Sequence, residues 1–238
     1  GRAEAPITFT SWQVGKQPGD WGYIVFDDMA EDARFDANGN YLSGSALRHV
    51  IVEYAGGKTT ANARYNYNTL NYAIDAPETV LSVDHATLRH NSAGGLRVAG
   101  GSITYNTIVS NTLTAVADEQ GMGIANLGNG LVAYNTVTGN QTFGSSSFTL
   151  QGGGIHSAGG VVRANTVTDN QIIGYQRVEG QGIFSRQGEV MDNRIAGNRV
   201  ETDGDVLGGG LHVVNATQVA RNWILDNSAK ASGSVQGA

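Results

Sequence analysis

The strongest constraint on the fold of this chain is a repeat of 28 to 31 residues that runs from residue 95 onward. Each repeat contains the pattern Asn-x-apolar-x-x-Asn, which begins at Asn106, Asn135, Asn165, Asn193 and Asn222. A second marker, Gly followed by Leu or Ile, keeps the same period and occurs at Gly95, Gly123, Gly154, Gly182 and Gly210. Two independent markers with one period indicate a repeat architecture, in which each unit stacks on its neighbours.

Within each repeat the apolar residues alternate as they do in β-strands. One β-branched residue lies three positions before the first Asn and another lies two positions after it, as Val132 and Val137 do around Asn135. The distance from the Gly marker to this Asn is 11 or 12 residues in every repeat, so the length varies only in the connection after the second Asn. No segment has helical spacing with caps. Each repeat is therefore predicted to contain three short β-strands and no helix.

A coil of short strands that repeats without helices satisfies its backbone groups by stacking on its neighbours as parallel sheets. The sequence thus predicts a parallel β-helix that rises about 4.8 Å per coil. We expect the first Asn of each pattern at the bend between two strands, in a left-handed backbone conformation that Asn tolerates. Stacking then predicts a structural ladder of hydrogen-bonded side chains that does no chemistry, formed by Asn106, Asn135, Asn165, Asn193 and Asn222.

The units GGGI, YNTVTGN and ANTVTDN resemble the right-handed parallel β-helix repeats of the pectate-lyase-like superfamily. The N-terminal segments GDWGYIVF and ALRHVIVEYAGG are similar to the opening coils of bacterial secreted or surface β-helix proteins. The resemblance implies an all-β, single-stranded, right-handed parallel β-helix in a protein that is extracellular or on the bacterial cell surface. It does not select a function, because the superfamily contains lyases, hydrolases, epimerases, adhesins and phage tailspikes.

The repeat extends more weakly into the N-terminal third, which gives about seven coils in one β-helix domain over residues 1–238. A loop insertion over residues 27–44 interrupts an early coil. The sequence starts and stops within a coil, so we expect a fragment of a longer solenoid. Because open coil ends expose unpaired strand edges, the predicted partners at these ends are flanking domains or other copies of the chain.

Composition excludes several classes of protein. The formal net charge of −6 argues against a nucleic-acid partner, which would be held by basic side chains on phosphates. No run of 18 apolar residues occurs, so no membrane span is predicted. The chain has no Cys, which excludes disulfides and Cys-ligated metals.

The residue after each Leu or Ile marker is expected on the outer face of its strand. This outer column consists of Arg97, Ala125, His156, Phe184 and His212. The resemblance places the binding groove of polysaccharide-acting relatives along such a face, where rings and cations contact sugars. The candidate glycan-binding residues are therefore Arg97, His156, Phe184 and His212, together with Tyr175 from a long connection. His156 and His212 are two coils, or about 9.6 Å, apart and cannot share a metal ion.

Calcium is the one cofactor that the sequence leaves open. Acidic residues occur in the long connections, at Asp118 and Glu119 and again around Glu201, and lyase relatives use Ca²⁺ to neutralise a uronate. No carboxylate recurs at one position from coil to coil, and the DANGN segment has its Gly at the fourth place and not at the sixth place of a calcium loop. The sequence favours a turn at DANGN, and no metal site or cofactor is predicted.

Known catalytic signatures are absent from the sequence. The chain lacks the paired-Asp and Gly-His-Gly set of polygalacturonases, the Asp-Pro-His motif of alginate epimerases, a Gly-x-Ser-x-Gly elbow and a His-Glu-x-x-His motif. We therefore predict a non-catalytic extracellular β-solenoid, such as a stalk, adhesin or filament segment, that contacts a polysaccharide along one outer face. The alternative is a polysaccharide lyase or hydrolase that acts on an acidic glycan. Two carboxylates within about 5 Å of a basic residue in the groove would favour the enzyme.

Overall fold

The structure is a computed structural model that describes residues 1–57, 71–115 and 117–237. Every regular element in these ranges is a β-strand, and nearly all strands pair in parallel with the strand one repeat away. Four sheets run along the axis of the stack, and they are named A to D in the order in which each regular coil passes through them. This architecture confirms the predicted parallel β-helix.

Sheet A has ten strands: Ile24–Val25, Ala46–Arg48, Tyr72–Asp84, Gly94–Thr104, Ile124–Ala133, Ile155–Arg163, Ile183–Ser185, Gly188–Met191, Leu211–Val213 and Ala216–Ala220. Sheet B has eight: Ile7–Phe9, Val50–Glu53, Thr87–Arg89, Thr107–Val109, Thr136–Thr138, Thr166–Thr168, Arg194–Ala196 and Trp223–Leu225. Sheet C has five: Thr112–Thr114, Gln141–Phe143, Gln171–Ile173, Arg199–Thr202 and Ser228–Ala231. Sheet D has five: Glu119–Gln120, Thr149–Gln151, Arg177–Glu179, Asp205–Leu207 and Val235–Gln236.

The coils differ from the prediction in number and in strands per coil. Five successive coils between Gly94 and Gln236 visit all four sheets, whereas the described residues before Gly94 contribute strands to sheets A and B and to a separate two-stranded hairpin, but not to sheets C and D. In the first three of these coils, two of the three predicted strands form one long strand of sheet A, which changes register at its middle, as between Asn126 and Asn129. In the last two coils they are two separate strands of the same sheet. The connection after the second Asn, which varies in length, contains the strands of sheets C and D. A loop of variable length was expected there because its sequence has no fixed spacing.

The interior of the coils is a set of stacked β-branched columns. Ile124 and Val132 of sheet A and Val137 of sheet B are fully buried and lie in register with the corresponding residues of neighbouring coils. Full burial of each such side chain contributes about 1.5–3 kcal/mol. The predicted inward columns are thus confirmed, except in the last coil, where Val219 and Ile224 are exposed because no further coil of the described chain covers them.

The predicted Asn ladder is present. The Nδ2 of Asn106 donates to Oδ1 of Asn135 at 2.9 Å, and the same bond continues through Asn165 and Asn193 to Asn222 at 2.9–3.0 Å. The second Asn of each pattern forms a parallel ladder with the same geometry, which consists of Asn91, Asn111, Asn140, Asn170, Asn198 and Asn227.

The predicted backbone conformation of these Asn residues is wrong. The left-handed residue is the one before each Asn, such as Tyr134 with φ 59° and Ala164 with φ 52°, and not the Asn itself. This bend turns the chain so that the following side chain points inward. There the amide of Asn165, for example, donates to the backbone oxygen of Val132 as well as to the next rung. The Asn thus contributes the buried amide group that forms these hydrogen bonds, and the residue before it adopts the left-handed conformation of the bend.

The insertion over residues 27–44 contains an antiparallel pair of strands, Arg34–Phe35 with Tyr41–Ser43. The carboxylate of Asp36 accepts the backbone N–H groups of Asn38 and Asn40, each at 2.8 Å, and Gly39 has φ +83°. This confirms the turn predicted at DANGN. The hairpin lies against the outer face of sheet A.

Candidate functional site

The predicted outer column is covered. Ala125, His156 and Phe184 are at most 2% exposed, and only Arg97 and His212 at the two ends of the column are half-buried. The chain bends from sheet D into sheet A at a left-handed glycine in each coil, namely Gly121, Gly152, Gly180 and Gly208. The backbone of this bend lies close to the column, since a Cβ atom at Gly121 or Gly152 would be only 2.8 Å from the backbone nitrogen of His156. The expectation that His156 and Phe184 are exposed for a glycan is therefore wrong.

His156 and Phe184 are packing residues in this covered column. Their rings stack with centroids 5.3 Å apart and 9° between planes, and His212 packs edge-on against Phe184 at 5.4 Å. Neither ring nitrogen of His156 makes a hydrogen bond of ordinary geometry. Burial lowers the pKa of His156 to about 4, against a smaller opposite effect from the backbone of Asn126. His156 is neutral and inaccessible at neutral pH.

Tyr175 is also in the interior. Its hydroxyl is 2.9 Å from the hydroxyl of Thr142, and its ring packs in the second core cluster with Leu150 and Ile172. Burial raises the pKa of Tyr175 above its usual value. The prediction that Tyr175 lies at the edge of a glycan groove is wrong, because the connection that carries it folds into sheets C and D and does not extend into solvent.

One end of the column is open and forms a pocket of about 380 Å³. Glu119–Gln120 is the first strand of sheet D in the described chain, and the pocket lies beside it. The lining is mostly polar and combines residues of sheets A and D: Tyr72, Arg97, Asp118, Glu119, Gln120, Thr149 and Gln151. Of the predicted site residues, only Arg97 contributes to this pocket.

Arg97 is fixed in the pocket wall by a bidentate ion pair. Its Nε is 2.6 Å from Oδ1 of Asp75 and its Nη2 is 2.9 Å from Oδ2, while the guanidinium lies 5.1 Å from the ring centre of Tyr72. Asp75 is 1% exposed, so its charge is matched by Arg97 and not by water. The Nη1 group of Arg97 is not engaged by Asp75, and the Arg97 side chain is 30% exposed. Arg97 can therefore donate to a ligand while it remains anchored.

Glu119 occupies an interior position at the base of this pocket. It is 5% exposed and accepts a hydrogen bond from the Nδ2 of Asn71. Burial raises the pKa of Glu119 to about 7, although the Arg97 charge acts in the opposite direction. Near neutral pH the side chain is thus divided between its protonated and ionised forms. It can donate to a ligand oxygen or accept from a ligand hydroxyl.

The charges in the pocket sum to a negative value. Asp75 and Arg97 cancel, which leaves the exposed Asp118, whose Oδ1 accepts the backbone N–H of Thr149 at 2.7 Å, and the partly ionised Glu119. An anionic ligand would meet like charge here, whereas the hydroxyl groups of a neutral ligand find both donors and acceptors.

Sequence reasoning considered Glu119 only as a possible calcium ligand, and it missed Tyr72. A signal for Glu119 was available, because alignment on the Gly markers places it in the column that Leu150, Val178 and Val206 fill in later coils. A carboxyl group at a position that is apolar in the other repeats indicates a local function or a local partner. Tyr72 has no such signal, since the coil that contains it precedes the regular repeats.

Across the part of the chain that the structure describes, no three His, Asp or Glu side chains lie close enough together to hold a metal ion. In the same ranges, no helix is long and apolar enough to cross a membrane.

Comparison with known proteins identifies the family. A family model described as a right-handed β-helix region matches residues 35–229, which is most of the chain. A search of curated proteins and a search of solved structures each returned no match. The family match agrees with the stacked parallel sheets and supplies their handedness. The chain therefore belongs to the right-handed β-helix family.

Proposed function

We propose that this protein is an extracellular β-solenoid of the stalk or adhesin type that binds a neutral glycan, without cleaving it, in the pocket formed by Tyr72, Arg97 and Glu119. The observation that carries the proposal is the half-open polar pocket itself, which lies between the Arg97 end of the outer column and the Glu119–Gln120 strand. Its volume of about 380 Å³ suits one or two sugar rings, and it lies within the usual size range of small-molecule sites. The extracellular location rests on the resemblance of the opening coils to those of secreted proteins.

Charge favours a neutral glycan over an acidic one. Among the lining residues that the structure describes, Arg97 is the one basic residue, and Asp75 neutralises it at 2.6 Å. The remaining charges, on Asp118 and Glu119, repel a uronate. Gln120, Thr149 and Gln151 add amide and hydroxyl groups that pair with sugar hydroxyls without a charge penalty.

A glycoside hydrolase is the second candidate, and the protonation of Glu119 favours it. A carboxyl group with a pKa of about 7 suits a general acid near neutral pH, and acidic groups do lie around a basic residue here. Hydrolysis also requires a second, available carboxylate. Asp75 is buried and held by Arg97, which leaves Asp118 alone for that role among the described lining residues. Binding without cleavage needs neither carboxylate to react.

Calorimetric titration tests the proposal. The probes are soluble hexasaccharides of β-1,4-linked glucose, mannose and xylose, with hexagalacturonate as the acidic counterpart. We expect at least one neutral probe to bind more tightly than hexagalacturonate, and Gln120→Trp, which fills the pocket, to weaken binding roughly tenfold. The matched control is Gln141→Trp, because Gln141 is an exposed glutamine of sheet C, outside the pocket.

The same samples separate the two candidates. Release of reducing ends that is lost in Glu119→Gln would replace the binding proposal with the hydrolase. Preferential binding of hexagalacturonate, or equal binding by the Gln120→Trp variant and the unmodified protein, would contradict the assignment of the pocket to a neutral glycan.

A further inference from the structure

A second cleft, of about 500 Å³, lies beside the part of the sheet A strands that follows their change of register. The hairpin of the insertion forms one wall, and the outer face of the second half of the sheet A strands forms the other. The hairpin contributes Phe35 and Tyr41, and the sheet contributes Ser82, Asp84, Ser102 and Thr104. None of these residues belongs to the Tyr72–Arg97–Glu119 pocket.

The hairpin wall is aromatic. The rings of Phe35 and Tyr41 pack edge to face with their centroids 6.3 Å apart. The hydroxyl of Tyr41 donates to the backbone oxygen of Gly44 at 2.6 Å, which fixes the orientation of the ring. The side chain of Tyr41 is nevertheless 44% exposed to solvent. A fixed, exposed aromatic ring is a surface for the apolar C–H face of a ligand.

The opposite wall presents hydroxyl groups in register. Ser82 pairs with Ser102, and Asp84 pairs with Thr104, on adjacent strands of sheet A. Thr104 donates to Asp84 at 3.3 Å, whereas the side-chain hydroxyls of Ser82 and Ser102 have no hydrogen-bond partner among the described residues. Two neighbouring unpaired hydroxyls that face an aromatic wall are available to a polar ligand.

The cleft carries no unbalanced charge that would attract an ion. Asp84 is paired with Arg48 at 3.0 Å and also contacts His85 at 2.8 Å. No other acidic or basic side chain lines the cleft among the described residues. Its ligand must therefore combine an apolar face with neutral hydroxyl groups, and a pyranose ring has both.

We infer that this cleft is a second binding site for a neutral sugar residue. The apolar face of the ring lies on Tyr41 and its hydroxyls pair with Ser82 and Ser102. This inference does not depend on the first pocket, which has a different lining. The same two strands, Tyr72–Asp84 and Gly94–Thr104, contribute to both sites. Arg97 and Ser102 are five positions apart on the same strand, so the two sites are at most about 17 Å apart along it.

Nuclear magnetic resonance titration of the ¹⁵N-labelled chain tests this inference, with the same neutral hexasaccharides and hexagalacturonate as probes. We expect a neutral probe to shift the amide signals of Tyr41, Ser82 and Ser102 in a saturable way. Ser102→Tyr, which fills the cleft from an outward position, should reduce these shifts at least fivefold. The matched control is Val161→Tyr, because Val161 is in the same outer column two coils further on, outside the cleft.

The signals also distinguish this inference from the first proposal. Shifts at Gln120 and Gln151 report the first pocket and should be unchanged in Ser102→Tyr. The inference is overturned if no neutral probe shifts the cleft signals, if Ser102→Tyr leaves those shifts intact, or if hexagalacturonate produces the larger shifts. Loss of binding at Gln120 with the cleft shifts preserved would contradict the first proposal alone.

Discussion

Glu119 lies in register with Leu150 in sheet D, so a carboxyl group occupies the interior column that a leucine fills one coil later. Both side chains are buried. The Glu119 position is tolerable because Asn71 donates to the carboxyl group and because the pocket beside it is open. Ionisation of the buried Glu119 carboxyl group nevertheless costs folding free energy.

The first prediction concerns this cost. Burial raises the pKa of Glu119 to about 7 in the folded chain, from 4.5 in the absence of burial. The unfolded chain therefore ionises first, and the free energy of unfolding should fall as the pH rises from about 4.5 to about 7, by about 3 kcal/mol in total. Glu119→Gln should remove this decline and exceed the unmodified protein in stability at pH 8, as measured by urea denaturation. Asp118→Asn, at the exposed neighbour, should keep the decline; a Glu119→Gln variant that also keeps it would contradict the assignment.

The second prediction concerns His156, whose pKa is lowered to about 4. A histidine with a lowered pKa stabilises the fold only while it is neutral, so the free energy of unfolding should decrease as the pH falls from about 6.5 to about 4. His156→Phe keeps the stack on Phe184 and removes two buried nitrogens that lack hydrogen bonds. It should raise stability at pH 7 by about 1–3 kcal/mol and weaken the acid dependence. His90→Phe, at an exposed histidine, serves as the control, and equal effects of the two substitutions would refute the role of burial.

The third prediction concerns the ladder. Asn165→Ala leaves the backbone N–H and the Nδ2 of Asn135 without their acceptor and the backbone oxygen of Val132 without its donor. Each buried unpaired group costs about 1–3 kcal/mol, so the variant should lose at least about 3 kcal/mol in chemical denaturation. Asn222→Ala, in the less buried last rung, should lose clearly less, since water reaches the groups left behind. Equal losses at the two positions would show that the stacking of rungs adds nothing.

The fourth prediction concerns the bend before each rung. Ala164 has φ 52°, and the residues at the equivalent bend of the second ladder include Gly139 and Gly197. A left-handed alanine is strained by about 1–2 kcal/mol, so Ala164→Gly should raise the thermal midpoint despite the greater freedom of the unfolded chain. Ala164→Val should lower it. The opposite order would mean that the bend is not left-handed in solution.

The sequence was sufficient for the fold and for the ladder, because both depend on features that recur at one position in every repeat. Ile124, Val132 and Val137 each follow the repeat, and stacking alone determines what they contact. The sequence did not reveal which residue at each bend has the left-handed conformation. Asn is the usual residue for that conformation, so the pattern concealed the fact that its neighbour makes the bend.

The site was less predictable, for two physical reasons. Whether His156 is exposed depends on how tightly sheet D folds onto sheet A at Gly152, and this angle does not appear in the spacing of residues along one strand. The pocket lies at Glu119, where a carboxyl group interrupts the apolar column of the repeat, so the regular spacing does not reveal it. Of the predicted site residues, Arg97 alone lies at that interruption.

The rung-to-rung hydrogen bonds of the ladder all point in the same direction along the axis of the solenoid. Each rung from Asn106 to Asn193 donates one amide N–H to the Oδ1 of the next rung toward the C-terminus, so the side-chain dipoles align along the axis and reinforce one another. The two ends of the stack are consequently not equivalent: donor capacity accumulates at Asn222, and acceptor capacity at Asn106. A surface that continued the row past Asn222 would have to offer an oxygen there, which permits head-to-tail stacking of coils and forbids tail-to-tail stacking.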